Sequence, residues 1–425
     1  MKLHPKSSNS ARLRRGLLAT TAGVLCLQPT LGSAQEGARV QKLEKENAEL
    51  KTRLDALEAV AQKEGLLPSG EANTKLVSAM SEISLSGFVQ ASYFYNTDDP
   101  ADKASDGYLW NTVHDSFSLN KFKLTLASKP AERSGEAWDT GFRVSMIWGE
   151  DAPVLNTGGE RQGFEALREA YIDLNVPIGE GLIVKAGQLI SLLNFESGDG
   201  GAANPNFSQG YQWFFTGNGP SAGVQGDYQF TDWLNVKARI QNGLYAGAVD
   251  GNDGKTFLGS IGLTPSANTW VNLLGFFGEE SPTLDLAGGS VLAGTKIGEA
   301  LNLGLEFDYF NFEPPTGSSS DLWSVGGWIW YDFTSKFSAA LRAEYLDDPD
   351  GGGLKGITLP GRPGSAIVST EADGSMASVT LTFTVKPTAS IRIQPELRYD
   401  HTTYDGGFDG EEGRFTIGAG VTYSF

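Results

Sequence analysis

A set of charged side chains recurs at alternating positions in short segments of this sequence. The cations are Lys185, Lys237, Arg239, Arg342, Arg392 and Arg398, and the anions are Asp227, Glu306, Asp308, Glu344 and Glu396. Successive side chains of a strand point to opposite faces, so each segment would carry one charged or polar face and one oily face. If the charged faces enclose water, facing rows of opposite charge orient passing solutes and set an ion preference. The plainer alternative is local pairing that only neutralises charge in the wall.

Catalytic and metal chemistry find little support. Cys26 is the sole cysteine, so there is no disulfide framework and no thiolate metal site. His4, His114 and His401 share no ligand spacing, and a Ser/His/acid set would have only the last two to draw on once a leader is removed. No nucleotide loop, zinc helix or nucleophile elbow is present, so no enzyme activity, cofactor or metal is expected. The Asp-Gly clusters at 250–254 and 405–412 complete no Ca²⁺ loop and read as solvated turns. Phe310, Trp328 and Trp330 share the polar parity; they fit a stacking track for sugars or, preferably, packing beneath a loop. A formal net charge of -18 argues against nucleic acid as a partner.

The elements that would position the charged rows are strands. Alternating segments fall at 83–95, 115–128, 137–149, 165–175, 182–193, 220–230, 233–243, 256–264, 268–277, 286–296, 300–312, 321–333, 336–347, 375–385, 389–401 and 413–425. Some links are tight, as at 231–232 and 334–335. Others are long and acidic: 98–106, 194–219, 250–254, 279–285, 347–374 and 405–412. Long loops after odd strands and short turns after even ones are the habit of an up-and-down barrel.

Charge decides which face meets what. The odd positions of 301–309, 323–333, 337–345, 377–385, 389–399 and 415–425 include no charged residue. One charge at mid-bilayer costs roughly 2–4 kcal/mol, so the oily face is expected to look outward into lipid. Aromatics gather near strand ends: Phe230, Trp233, Phe333, Phe337 and Phe425 at one rim, Tyr93, Tyr95, Tyr309, Tyr345 and Tyr399 at the other. Rings with a wet edge prefer the headgroup level. The fold class is thus all-β and transmembrane, a sixteen-stranded antiparallel barrel over 83–425, with both chain ends on the short-turn side.

Ahead of it, residues 1–34 read as a signal peptide, with Lys2, Lys6, Arg12, Arg14 and Arg15 before an apolar run too short to span a bilayer. Residues 35–64 carry a heptad pattern. Val40, Asn47, Leu54 and Ala61 take the a positions, and Leu43, Leu50 and Leu57 the d positions. Arg39 with Glu44, Glu46 with Lys51, and Arg53 with Glu58 give oppositely charged pairs between parallel, in-register helices. The repeated Arg–apolar–x–x–apolar–Glu arrangement favours a trimeric coiled coil, in the periplasm, while Asn47 in the seam also suits a dimer and the plainer alternative is a single solvated amphipathic helix. Residues 65–82 form a linker, broken at Pro68-Ser69-Gly70.

Several motifs are specific enough to name: Glu169-Ala170-Tyr171, Pro177-Ile178-Gly179, Val184-Lys185-Ala186-Gly187-Gln188, Asn194-Phe195-Glu196, the aromatic run 211–215, Gly219-Pro220 with Gly223, and Asn242-Gly243. Together they resemble the outer-membrane β-barrel porins of the OmpL-like family. The resemblance implies an outer-membrane channel for passive diffusion of small hydrophilic solutes and ions, without catalytic residues. General porins fold the corresponding loop into the lumen, so 194–219 is expected to fold inward and narrow the bore through Glu196, Asp199, Tyr211, Trp213, Phe214 and Phe215; the plainer alternative is an ordinary surface loop. Tyr423 and Phe425 look like the signal read by the barrel-assembly machinery. Acidic loops at the mouth lead us to expect weak cation preference. Two other readings share this architecture: a solute-selective, sugar-type porin, and a barrel that tethers the envelope through its coiled coil.

Overall fold

The computed structural model describes residues 83–425 apart from 109, 157–164, 218, 352–353, 355–370 and 372, together with Lys45 and Thr52. The leader and linker expected at the amino terminus lie outside the described residues, as does nearly all of the coiled coil. Lys45 and Thr52 are helical and exposed, and both take the f position of the heptad.

Sixteen strands run in order: β1 (Ser84–Asn96), β2 (Ser116–Ala127), β3 (Asp139–Trp148), β4 (Leu167–Val176), β5 (Leu182–Leu189), β6 (Ser221–Thr231), β7 (Leu234–Gln241), β8 (Thr256–Ser266), β9 (Thr269–Ser281), β10 (Leu284–Ile297), β11 (Leu301–Glu313), β12 (Ser320–Thr334), β13 (Phe337–Asp348), β14 (Gly374–Val385), β15 (Ile391–Thr402) and β16 (Gly413–Ser424). Two short helices, α1 (Ala152–Leu155) and α2 (Tyr211–Phe215), lie in the connections. Each strand pairs with its neighbours in sequence, and β1 pairs with β16 to close the barrel. At the seam Val89 faces Tyr423 and Ala91 faces Val421, while Gly87 and Phe425 exchange two backbone hydrogen bonds of 3.0 Å.

Closure has a direct physical cause. A backbone N–H or C=O without a partner in hydrocarbon costs several kcal/mol, and an open sheet edge would strand a whole row of them. The alternation then sorts side chains by solvent. Ile329, Ile417 and Phe383 are 51%, 55% and 40% exposed on the outer surface, whereas inward Arg342, Thr380 and Thr422 are fully buried. That inversion of the usual pattern belongs to a protein whose outer solvent is lipid. Phe230, Trp233, Phe333, Phe337 and Phe425 stand exposed at the short-turn rim, and Tyr95, Tyr309, Tyr345 and Tyr399 towards the other.

Two boundaries differ from the sequence reading. The fifth strand ends at Leu189 rather than 193, because the chain there leaves the wall and enters the lumen. The stretch 279–285, read as a long acidic loop, is mostly strand: Glu279 pairs with Asp285, and β9 and β10 join through Pro282 and Thr283 alone. At 13 and 14 residues these strands exceed the roughly 9–11 needed to span. Their ends stand in water, where acidic side chains are tolerated and the oily parity that marks a strand disappears.

Leu341 is apolar, outward and near the middle of β13. Leu341→Arg should cost roughly 2–4 kcal/mol of folding free energy in lipid, read as a lower denaturant midpoint for refolding into vesicles. An exchange of the inward neighbour Thr380→Ser should leave that midpoint almost unchanged.

Candidate functional site

The connection 190–220 does not stand above the barrel; it folds into the lumen and is fixed against one side of it. Local hydrogen bonds first shape the segment. Asn194 Nδ2 donates to the Trp213 carbonyl at 3.2 Å, drawing the two limbs together. Asn204 and Ser197 exchange two bonds of 2.8 Å across a tight fold.

The walls then hold it. The Phe195 N–H donates to Glu306 on β11 at 3.0 Å. Gln212 Nε2 donates to Asp308 at 3.0 Å, and its backbone N–H to Glu344 at 3.0 Å. The Phe207 N–H donates to Glu396 on β15 at 2.9 Å. In return Arg342 Nη1 and Arg398 Nη1 donate to the carbonyls of Ser208 and Gln209, at 2.7 and 3.1 Å. On the near wall Lys123 reaches Asp199 at 2.9 Å. Close approach needs glycine at two positions. A Cβ on Gly304 would lie 2.2 Å from the Phe195 ring, and one on Gly420 would lie 2.1 Å from the Phe207 ring.

The aromatics expected to narrow the bore become packing. Tyr211 is buried and stacks on the Arg398 guanidinium at 4.5 Å. Trp213 meets Trp110 edge-on at 5.7 Å, and Phe214 meets Phe215 at 5.3 Å. Phe195 lies between Trp328 and Trp270, at 4.4 and 5.8 Å. Glu196 is paired with Arg342 at 2.8 Å, and Arg342 also meets Glu344 at 3.1 Å. Trp328 and Phe310, candidates for a sugar track, are buried, Trp328 under the segment and Phe310 against Phe276 at 4.7 Å.

The charged rows therefore separate into two groups. Glu306, Asp308, Arg342, Glu344, Glu396 and Arg398 point inward but are covered. Arg392 is half-buried and donates to the Gly201 carbonyl at 3.1 Å. Arg239 is buried and held by Gln225 and the Ile190 carbonyl, at 2.7 and 2.9 Å. Lys185, Lys237 and Asp227 stay partly exposed. They border the open side with Arg143, which pairs with Glu169 at 2.6 Å. A cavity of about 620 Å³ on that side is lined by Arg133, Asp227, Asn235, Lys237, Trp270 and Asn272.

Other inward residues that hold the lumen's packing escaped the sequence reading. Lys121 and Lys123 on β2 point inward, and Lys121 is buried against Asp151 at 2.9 Å. The alternation Lys121-Phe122-Lys123-Leu124-Thr125-Leu126 carries that signal, but an irregularity opposite Gln90/Ala91 breaks the parity before it. Arg414, with Asp400 at 3.7 Å and Tyr108 at 4.2 Å, completes a cationic and aromatic ladder with Arg398. Tyr108 lies in a loop, where no periodicity marks it.

At the rim, loops are tied to one another and to the end of β16. The Asp106 N–H donates to Asp409 at 3.3 Å, and Arg414 Nη1 donates to the same carboxylate at 3.2 Å. Asp250 accepts from its own Asn252 N–H and from Lys255, at 3.1 and 2.9 Å. That Asp-Gly cluster thus spends its carboxylate internally.

The family described as "putative beta-barrel porin-2, OmpL-like" matches residues 82–425. No curated protein matches the sequence. Among solved structures, the barrel is similar to OprB of Pseudomonas putida, with a TM-score of 0.54, 14% identity, and 84% of this chain and 97% of that one covered. It is also similar to an anion-selective porin from Comamonas acidovorans, with a TM-score of 0.53, 12% identity, and 81% and 99% covered. The outer membrane channel DcaP of Acinetobacter baumannii aligns with a TM-score of 0.50, 14% identity, and 81% and 97% covered. At such identities the likeness is one of fold.

Burial, and then the facing Asp409 carboxylate, push Asp106 from 3.8 up to about 7. A carboxyl raised in the folded state holds its proton more tightly there than in an opened loop. The contact to Asp409 is therefore firmest below 3.8 and weakens as pH rises through about 7. Hydrogen exchange in 98–115, corrected for intrinsic rates, should accelerate across that range in the wild type. In Asp106→Asn it should not respond to pH there.

Proposed function

Because the chain belongs to the OmpL-like β-barrel porin family, we propose that solutes cross its lumen along the one side that 190–220 leaves open. The protein is a porin of the outer membrane, a channel through which small hydrophilic solutes and ions diffuse. The observation that carries the proposed path is the fixing of the segment against β11 to β16, while Lys185, Lys237 and Asp227 stay partly exposed opposite.

Ion preference follows from two fields of opposite sign. The rim is acidic, with Asp98, Asp99, Asp102, Asp405, Glu411 and Glu412 among its residues, and it raises the local concentration of cations. Lys185 and Lys237 along the bore temper that effect, so the net preference is weakly cationic. Passage is passive, with neither a cofactor nor a chemical step.

Residues 36–63 assemble three copies through a parallel coiled coil on the periplasmic side, behind the leader 1–34 and ahead of the linker 65–82. Three and a half heptads are marginal alone, so the barrels and the coil act as linked, mutually reinforcing contacts. Tyr423 and Phe425 are about half exposed on the outer surface of the last strand, where the assembly machinery has access to them during insertion.

Planar-bilayer recording tests the path. Removing 203–206 from the segment should raise single-channel conductance, and Lys185→Gln with Lys237→Gln should shift the reversal potential towards stronger cation preference. Unchanged conductance would place the path elsewhere, and anion selectivity in the parent protein would overturn the assignment of its field. The oligomer has its own test: mass measurement in detergent should give a trimer for the full chain and smaller species once 36–63 are deleted. A trimer that survives the deletion would move the interface to the barrel wall.

A further inference from the structure

Two neighbouring carboxylates on β11, Glu306 and Asp308, have no ion-pair partner among the described residues. Glu306 and Asp308 stand two residues apart on the inner face of β11, roughly 7 Å between Cα atoms, and both are essentially inaccessible to water, at 1% and 0% exposure. Nearby Glu196 and Glu344 share the Arg342 guanidinium at 2.8 and 3.1 Å. Among the described residues no ion pair reaches Glu306 or Asp308. Burying a charge without a counterion is among the more costly arrangements a fold can contain.

Each of the two uses only one oxygen. Glu306 Oε2 accepts from the Phe195 N–H at 3.0 Å, and Oε1 has no partner. Asp308 Oδ2 accepts from Gln212 Nε2, Thr216 Oγ1 and Ser324 Oγ, at 3.0, 2.7 and 2.9 Å, and Oδ1 has none.

A third oxygen, from the segment rather than the wall, points independently to a ligand. Gln212 is fully buried and its Oε1 is also without a partner. It presses against Gly326, where a Cβ would lie 1.8 Å away, and Gly326 is the cross-strand partner of Glu306. Gly326 is equally the cross-strand partner of Glu344, so the amide spans from Asp308, through its nitrogen, to the space over Gly326 between Glu306 and Glu344, through its oxygen.

We propose that Glu306, Asp308 and Gln212 form a buried site for a divalent cation of the Ca²⁺ class, which clamps the infolded segment to β11. Two carboxylates and one neutral amide match a double positive charge. Hard oxygen donors at irregular angles suit Ca²⁺, whose coordination shell is flexible, better than Mg²⁺, which demands a near-ideal octahedron. Ser290 lies directly across β10 from Asp308 and adds a hydroxyl beside the site. The ion would bridge α2 to the wall, so occupancy affects the firmness of the constriction as well as the stability of the barrel.

Terbium reports on the site, because Tyr211 adjoins Gln212 in sequence and Trp328 is paired beside Gly304 under the same segment. The full chain, refolded in detergent free of lipopolysaccharide, should show sensitised Tb³⁺ emission that Ca²⁺ displaces, and a Tm that falls when a chelator is added. Glu306→Gln with Asp308→Asn should abolish both responses. Its Tm should no longer depend on Ca²⁺, and neutral isosteres at buried positions leave the fold intact. Should that variant fail to fold, Gln212→Leu supplies the second measurement, with weakened Tb³⁺ binding expected. Asp250→Asn with Asp253→Asn, at the rim, should change neither response. The proposal is overturned if the wild type shows no Ca²⁺-displaceable emission, or if emission survives loss of both carboxylates. Both readouts are independent of conductance, so the diffusion path stands or falls by its own bilayer test.

Discussion

Within hydrocarbon the peptide backbone has no solvent to bond to, and that requirement governs the rest of this structure. Every strand must be paired on both sides, so the sheet must close, and β1 meets β16 through nine registered pairs. Closure turns the side-chain alternation of a strand into a division between two solvents. Oily residues can be exposed only on the outside, and everything polar is gathered within. The outer face is fixed by the cost of placing a charge in lipid. The inner face is free to vary, and function resides there.

A barrel of sixteen strands is too wide for its own side chains to fill. The segment 190–220 supplies the missing material. It brings apolar anchors, among them Leu193, Phe195, Phe207, Tyr211 and Phe215, and several hydrogen bonds from its backbone to wall carboxylates. Glu306, Glu344 and Glu396 each accept a main-chain N–H from the segment. A carboxylate beneath an irregular chain serves the purpose that a neighbouring strand serves elsewhere: it satisfies donors that water can no longer reach. Wall acids that look like pore charges in the sequence are thus partly structural, and the covered arginines return the favour by donating to segment carbonyls.

The strands were legible because alternation is a local signal with a period of two, repeated over 8 to 15 residues. The oily parity carries no charge over 301–309, 323–333, 337–345, 377–385, 391–399 and 415–423, its acids Glu313, Asp321 and Asp347 falling at the ends of β11, β12 and β13, and those strands stand close to where the pattern puts them. The pattern is lost where its cause is absent, as at the ends of β9 and β10, which extend beyond the lipid. The bore is a different matter. Glu196 and Arg342 are 146 residues apart, and Phe195 and Glu306 are 111 apart. No periodicity joins such residues, and only the resemblance to porins pointed to an infolded segment. Inward direction was readable for Lys185, Arg342 and Glu306; whether each would meet water or protein was not, because that depends on where one loop comes to rest.

The resting place of that loop is nevertheless encoded, in residues that a charge-based reading passes over. Gly304 and Gly420 lie on the inner faces of β11 and β16, and each accepts an aromatic ring of the segment where any side chain would collide. On the opposite wall Arg239 and Trp270 still touch the segment, but the inward positions of β3 to β9 also include Arg143, Lys185, Asn235, Lys237 and Asn272, long or polar residues that suit water. Sockets on one side and polar bristles on the other make the bore asymmetric before any loop is placed. The segment has one wall on which it can lie flat, and the open side is what is left. A channel narrowed in this way owes its cross-section to two glycines as much as to its charges.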